Sequence, residues 1–430
     1  MTASIRVQRL RALLKQHRLS AVIVPSADPH LSEYVPHRFG RREYLSGFKG
    51  SAGTAVVTAD HALLWTDGRY YEQAQSELQA GWGLMKLTDL PIEQWLAEHH
   101  RDGTVAVDPT VHSCNELGSL QAHGLDVDLL SSNLVDEVWE QEEGGPPPMP
   151  DNLARAHPLE YAGQTVEEKL ATVRSVMSSA GATTLIVSEL DEVAWLLNIR
   201  GSDIPNCPLV LAYAIVTLER ATLFCGKGKL DIEARSLLAE ARVTIQPYRE
   251  VTEALAVIGE SVGERVMLDP ARCNASLASQ VSDQQRIAAT SPVSHLKARK
   301  NRAELRGMEQ AHRRDGAAMA RFLAWLVARV ERGESVSEYE IAMVLRDVRA
   351  EDPFFLGPSF DTIAGSGPNG SVVHYRPEPE GSLLVGPETG MLLLDSGGQY
   401  IDGTTDVTRC LWFGGTGSVP PYVSEAYTRV

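Results

Sequence analysis

The sequence predicts an α/β fold in more than one domain. Amphipathic helical patterns alternate with short β-branched runs, which is the signature of helices packed on sheets. That order of patterns occurs twice. The chain has 430 residues, too many for a single core at ~100–200 residues per domain.

The first segment opens on a helix in which Leu10, Leu13 and Leu14 share one face. It is basic but lacks the apolar core of a signal peptide. Strand patterns follow at Ala21 to Ser26 (AVIVPS), Thr54 to Thr58 (TAVVT) and Ala62 to Gly68 (ALLWTDG). Glycine-rich GFKGSAGT, Gly47 to Thr54, lacks the spacing of a phosphate loop and reads as a tight turn into the strand after it. The stretch EEGGPPPMPDN, Glu142 to Asn152, continues neither a helix nor a central strand and reads as a semi-rigid linker.

The second segment repeats the plan: the helix TVEEKLATVRSVMSSAG, then strands at Thr183 to Ser188, Ala212 to Thr217 and Ala221 to Gly226. A break near Ser291 to Asn301 ends it. The basic run KARKNR, Lys297 to Arg302, reads as a solvated approach to a long helix, not a nucleic-acid patch. In that helix Leu305, Met308, His312, Met319, Leu323, Leu326 and Val330 recur at three- and four-residue steps. The expected domains are residues 1–148, 149–296 and 297–430.

Composition narrows the function. A formal charge of −16 argues against broad nucleic-acid binding and against an anionic membrane surface. No apolar run reaches the ~20 residues of a membrane span. The five scattered cysteines form no C-x-x-C pair and read as reduced packing thiols. The expectation is a soluble cytoplasmic protein.

Chemistry concentrates in MLLLDSGGQYIDGTTDVTRC, Met391 to Cys410. MLLL reads as a buried strand delivering Asp395, SGG as a turn, and the run carrying Asp406 as a returning strand. Two carboxylates brought together repel, so either one keeps its proton or a cation sits between them. Hard divalent cations with oxygen ligands fit such a pair. Aspartates of ordinary turns share the spacing. His374, in SVVHYRP some twenty residues earlier, is expected on a neighbouring strand.

At these residues the chain resembles the aminopeptidase P (Xaa-Pro aminopeptidase) family in its three-domain form. The first segment carries the resemblance in PSADPHLSEYV, YLSGFKGSAGTAVVT and LLWTDGRYYEQA, and the second in DEVAWLLNIRGSDIPNCP. The third carries it in KNRAELRGMEQAHRRDG, FDTIAGSGPNGSVVHYRP and LLLDSGGQYIDGTTDVTR. The resemblance implies two creatinase-like N-terminal α/β domains before a pita-bread catalytic domain. It implies release of the first residue from peptides with proline second, by water activated at two metal ions. By the same resemblance those ions would be manganese, with zinc or cobalt as alternatives. Asp395 would bind one ion through both oxygens and Asp406 would bridge the two. His374 would contact the peptide and stabilise the tetrahedral intermediate. Arg69 would contact the peptide from the first domain, although from the sequence alone a salt bridge with Asp67 is the commoner outcome for a surface arginine. A homodimer is implied as well.

The chain departs from the pattern in one respect. The family places a histidine and two glutamates after the aspartates, whereas here His374 is the last histidine and Glu425 the only acidic residue after Asp406. The expectation is a C-terminally incomplete catalytic domain, a fragment or truncated form without catalysis of its own. Two other readings share the fold: a non-catalytic pita-bread module that binds peptides or proteins, and a prolidase-like dipeptidase.

Overall fold

The computed structural model describes residues 3–414 and 419–430. The chain divides into two compact units, residues 1–300 and 301–430.

The first unit holds two six-stranded sheets. In the first, the strands run Gly83–Lys86, Ala62–Thr66, Thr54–Thr58, Ala21–Pro25, Thr104–Val107 and Asp126–Leu129 across the sheet. The strand Thr54–Thr58 is antiparallel to both its neighbours, Ala21–Pro25 and Ala62–Thr66, and every other pairing is parallel. Parallel neighbours need crossovers, which the helices Tyr71–Glu77, Ile92–His99 and Cys114–Ala122 supply. The strand Ala21–Pro25 is apolar along its length because both faces are covered. Ala21 and Ile23 enter a core with Trp65, Trp95 and Leu96, while Val22 and Val24 enter another with Leu10, Leu14 and Leu45.

The second sheet repeats the first. Its order is Val243–Pro247, Ala221–Cys225, Ala212–Thr217, Thr184–Val187, Val266–Leu268 and Arg286–Ala288. The strand directions match position by position. Identical topology with little shared sequence shows that the repeat lies in element order.

A buried polar cluster joins the two copies. Tyr213 Oη and Asn274 Nδ2 both donate to the Pro29 carbonyl, at 2.9 and 2.7 Å. His30 stacks on Tyr213 with ring centroids 4.1 Å apart. Its Nδ1 donates to the Ser188 carbonyl at 2.8 Å, leaving Nε2 to accept from Tyr248 Oη at 2.8 Å. Burial lowers the His30 pKa, which keeps the ring neutral for that pattern. The linker starts later than its composition suggests: Arg6 and Tyr44 bind Glu142 back onto the first copy. After it, residues 145–153 form neither helix nor strand.

Gly47 to Thr54 forms the expected turn, with Gly47 at φ +79° and a strand, not a helix, after it. The KARKNR run is the solvated approach expected of it: Arg299, Lys300 and Arg302 are exposed, and the partly exposed Lys297 is ion-paired with Asp191. All five cysteines are free thiols. Among the described residues no helix is long and apolar enough to cross a membrane.

The second unit is built on the helices Arg302–Glu331 and Glu338–Ala350 and the antiparallel sheet Ile363–Ser366, Gly390–Ser396, Val407–Phe413. Asn301 and Glu304 close a capping box on the long helix. Its buried face keeps Met319, Leu326 and Val330 of the row that periodicity picks out but is turned away from that row in its first half. Gly307, Ala311, Asp315, Ala318, Met319, Phe322, Leu326 and Val330 face inward, while Leu305 is 52% exposed and His312 lies on the surface. Two local demands rotate the face. Gly307 admits the backbone of Asp402, whose carbonyl oxygen would stand 2.1 Å from a Cβ there. Asp315 is buried because it accepts from Arg349 and from Tyr400 Oη.

Candidate metal centre

The central strand Gly390–Ser396 fixes the site. Leu392 and Leu394 fill the core, so alternation turns Asp395 to the opposite face. Asp395 pairs with Thr408 across the ladder to Val407–Phe413. Directly opposed residues share a face, and the residue two positions away is their diagonal neighbour. Asp406 occupies that diagonal place. Thr408 Oγ1 donates to Asp395 Oδ1 at 2.9 Å, which orients the carboxylate.

Asp395 is half-buried and Asp406 exposed. Burial is the main cause that pushes the Asp395 pKa up. The charge of Asp406 and a hydrogen bond between the two carboxyl groups push it the same way, while Thr408 and the Ser396 backbone oppose them. The two aspartates therefore form a close pair whose mutual charge calls for a proton or a cation. Hard oxygen donors suit a manganese- or magnesium-type ion better than a soft one. The pair supplies two such donors. Among the described residues no three or more His, Cys, Asp or Glu side chains gather into a metal-holding group, so His374 does not complete it.

His374 corrects the expectation of a strand. It lies half-buried in a turn after the 3-10 helix Gly367–Ser371. Pro368 and the tight packing behind Gly365, where a Cβ would stand 2.7 Å from the Asn369 carbonyl oxygen, end the strand Ile363–Ser366 and start that helix. The strand it leaves is the immediate neighbour of the Asp395 strand, with Ile363 opposite Asp395.

Arg69 belongs to the first unit. It grips Asp67 with two hydrogen bonds, Nε to Oδ1 at 2.9 Å and an η nitrogen to Oδ2 at 2.8 Å. That grip, its largest perturbation, raises the Arg69 pKa. The guanidinium also lies over Tyr70, 5.2 Å from the ring centroid. It lines a cavity of about 400 Å³ together with Ser51, Asn115, Glu116 and Arg272.

Sequence reasoning missed Thr408 and Glu338. Thr408 was findable, since DVT places it two residues from Asp406 on the same strand face. Glu338 left no local signal, because its partners are distant in sequence.

Comparison with known proteins gives the family. Residues 6–137 and 145–304 each match a Creatinase/Prolidase N-terminal domain, and residues 306–430 match Metallopeptidase family M24. A probable Xaa-Pro aminopeptidase P of Pyricularia oryzae is 39% identical over 96% of this chain and 70% of its own length. The chain belongs to the aminopeptidase P family. Aminopeptidase P2 of Arabidopsis thaliana is 37% identical over 96% of the chain, which spans 62% of that relative's length. Among solved structures, X-prolyl aminopeptidase from Caenorhabditis elegans, described as a cytosolic enzyme with a di-nuclear active site, superposes with a TM-score of 0.92. That match has 34% identity and covers 98% of this chain and 71% of the other. The fold is thus that of aminopeptidase P, with two creatinase-like domains before a pita-bread domain.

Proposed function

We propose that this chain is the greater part of a cytoplasmic metalloaminopeptidase that releases the N-terminal residue from peptides with proline in the second position. The observation that carries the reading is the Asp395–Asp406 pair, two carboxylates held together by strand register. Family membership and the di-nuclear site of the Caenorhabditis elegans protein support it.

Asp395 and Asp406 would be among the residues that hold the divalent ions, manganese by preference. When bound, such ions acidify a water molecule toward neutrality and polarise the scissile carbonyl. His374 donates a hydrogen bond to the carbonyl oxygen as that oxygen gains charge. Thr408 holds Asp395 in one orientation, as partners of metal ligands do. Arg69 stays a candidate peptide-contacting residue on the strength of the WTDGRY resemblance, and its grip on Asp67 is a solvent-exposed pair of low net worth. Proline selectivity follows from a missing donor: an X-Pro bond carries no N–H, so an apolar pocket accepts it without stranding a polar group.

The test uses an extended form at the length of the relatives, assayed with an X-Pro peptide and manganese. Turnover is expected, and chelation is expected to abolish it. Asp406→Ala should remove activity while shifting stability by no more than about 0.5 kcal/mol, since the side chain is exposed. An Asp406→Ala enzyme that still turns over would refute the reading.

A further inference from the structure

Glu338 is the first residue of the helix Glu338–Ala350 and is fully buried, at 0% exposure. A carboxylate there has a high desolvation cost unless donors surround it. Five groups donate to it. The Ser366 backbone N–H and hydroxyl reach Oε1 at 2.6 and 2.8 Å. The Asn369 amide spans both oxygens, at 3.3 and 3.0 Å. Tyr375 Oη and the Leu383 backbone N–H reach Oε2 at 2.8 and 2.9 Å. All five donors are neutral, and the helix N-terminus favours a negative charge at this position.

These donors are not scattered. Ser366 and Leu383 are the two ends of one segment, Asn369 lies in its 3-10 helix, and Tyr375 adjoins His374. In the other direction, the Glu338 N–H donates to the Leu383 carbonyl at 3.0 Å. Most of the segment forms no strand that could hold it by a ladder. One carboxylate therefore gathers a loop of some eighteen residues. Burial, with the bond to Glu338 adding to it, pushes the Tyr375 phenol up to about 12, so it remains a donor.

We propose that Glu338 is a positioning residue: it fixes the 366–383 segment and thereby sets where His374 stands. The kinetic part of this claim rests on the proposed peptidase reading; the placement itself does not.

Two measurements test it. In the 430-residue chain, Glu338→Gln replaces one acceptor oxygen by a donor. Hydrogen exchange across 366–383 should then rise by roughly tenfold, the worth of a lost charged hydrogen bond. Exchange in the strands Gly390–Ser396 and Val407–Phe413 should hold. Tyr375→Phe, which removes a single donor, should loosen the same segment less. It decides the matter alone if Glu338→Gln does not fold. In the extended enzyme, Glu338→Gln should lower kcat by about 10–100-fold with KM little changed. The same change added to His374→Ala should cost almost nothing more, because both losses pass through one side chain. Unchanged exchange in 366–383, or losses that multiply in the double variant, would overturn the proposal. If the extended wild type lacks X-Pro activity, the peptidase reading falls and the exchange result alone decides the placement.

Discussion

Asp395 and Asp406 are eleven positions apart in sequence and meet because register, not proximity along the chain, sets their spacing. The motif was legible; which residue would face Asp395 was not, since that depends on how the turn between the strands is built. Buried carboxylates elsewhere behave differently. Glu192 is 2% exposed and accepts from Ser291 Oγ at 2.6 Å. Burial pushes its pKa up to about 8, and nearby Glu189 and Asp191 add to that while Ser291 and Lys297 oppose it. The unfolded value is ~4.3. A raised folded pKa gives stability that is fully present below the unfolded pKa and is lost as pH rises through the folded one. Wild type should therefore lose stability between pH ~4.3 and about 8. Glu192→Gln should escape this loss, so its advantage in urea midpoint should grow from pH 5 to pH 9 and then level off. A difference independent of pH would show that Glu192 is ionised in the native protein.

The helix Arg302–Glu331 shows what periodicity delivers at the scale of an element. Its existence follows from local pattern; its start at the Asn301 cap and its 30-residue length come from the structure. Its buried face does not, because Gly307 and Asp315 enter for reasons that lie on other elements. Two glycines of this helix should accordingly respond in opposite directions. At Gly307 a methyl group collides with the Asp402 backbone, and Gly307→Ala should destabilise by about 1–3 kcal/mol although alanine is the better helix former. Gly316 is exposed, and a Cβ there would meet nothing within 4 Å, so Gly316→Ala should stabilise by about 0.5–1 kcal/mol. Thermal unfolding of the two variants beside wild type measures both signs. Destabilisation by Gly316→Ala, or tolerance of Gly307→Ala, would show that the helix packs differently.

For the whole molecule, the first unit carries large apolar cores of its own on the faces of its two sheets. Residues 1–300 expressed alone should unfold cooperatively, with the His30, Tyr213 and Tyr248 cluster joining the copies. Non-coincident transitions in circular dichroism and tryptophan fluorescence would argue against a single cooperative unit. The second unit gathers two carboxylates and, among the described residues, no larger ligand group. Titration of the 430-residue chain with manganese should show only weak binding, and an X-Pro peptide should not be turned over. Tight binding or turnover comparable to an extended form would mean that two carboxylates suffice.

The sequence alone determined the α/β class, the doubled N-terminal plan, the long helix and the family, because each rests on patterns a few residues long or on contiguous motifs. Tertiary structure decided the rest. It put His374 in a turn, paired Thr408 with Asp395 and gathered a loop on Glu338. The physical reason is separation: the donors to Glu338 lie 28 to 45 residues away, beyond any helical or strand period. A buried carboxylate is satisfied only by groups that the finished fold brings to it.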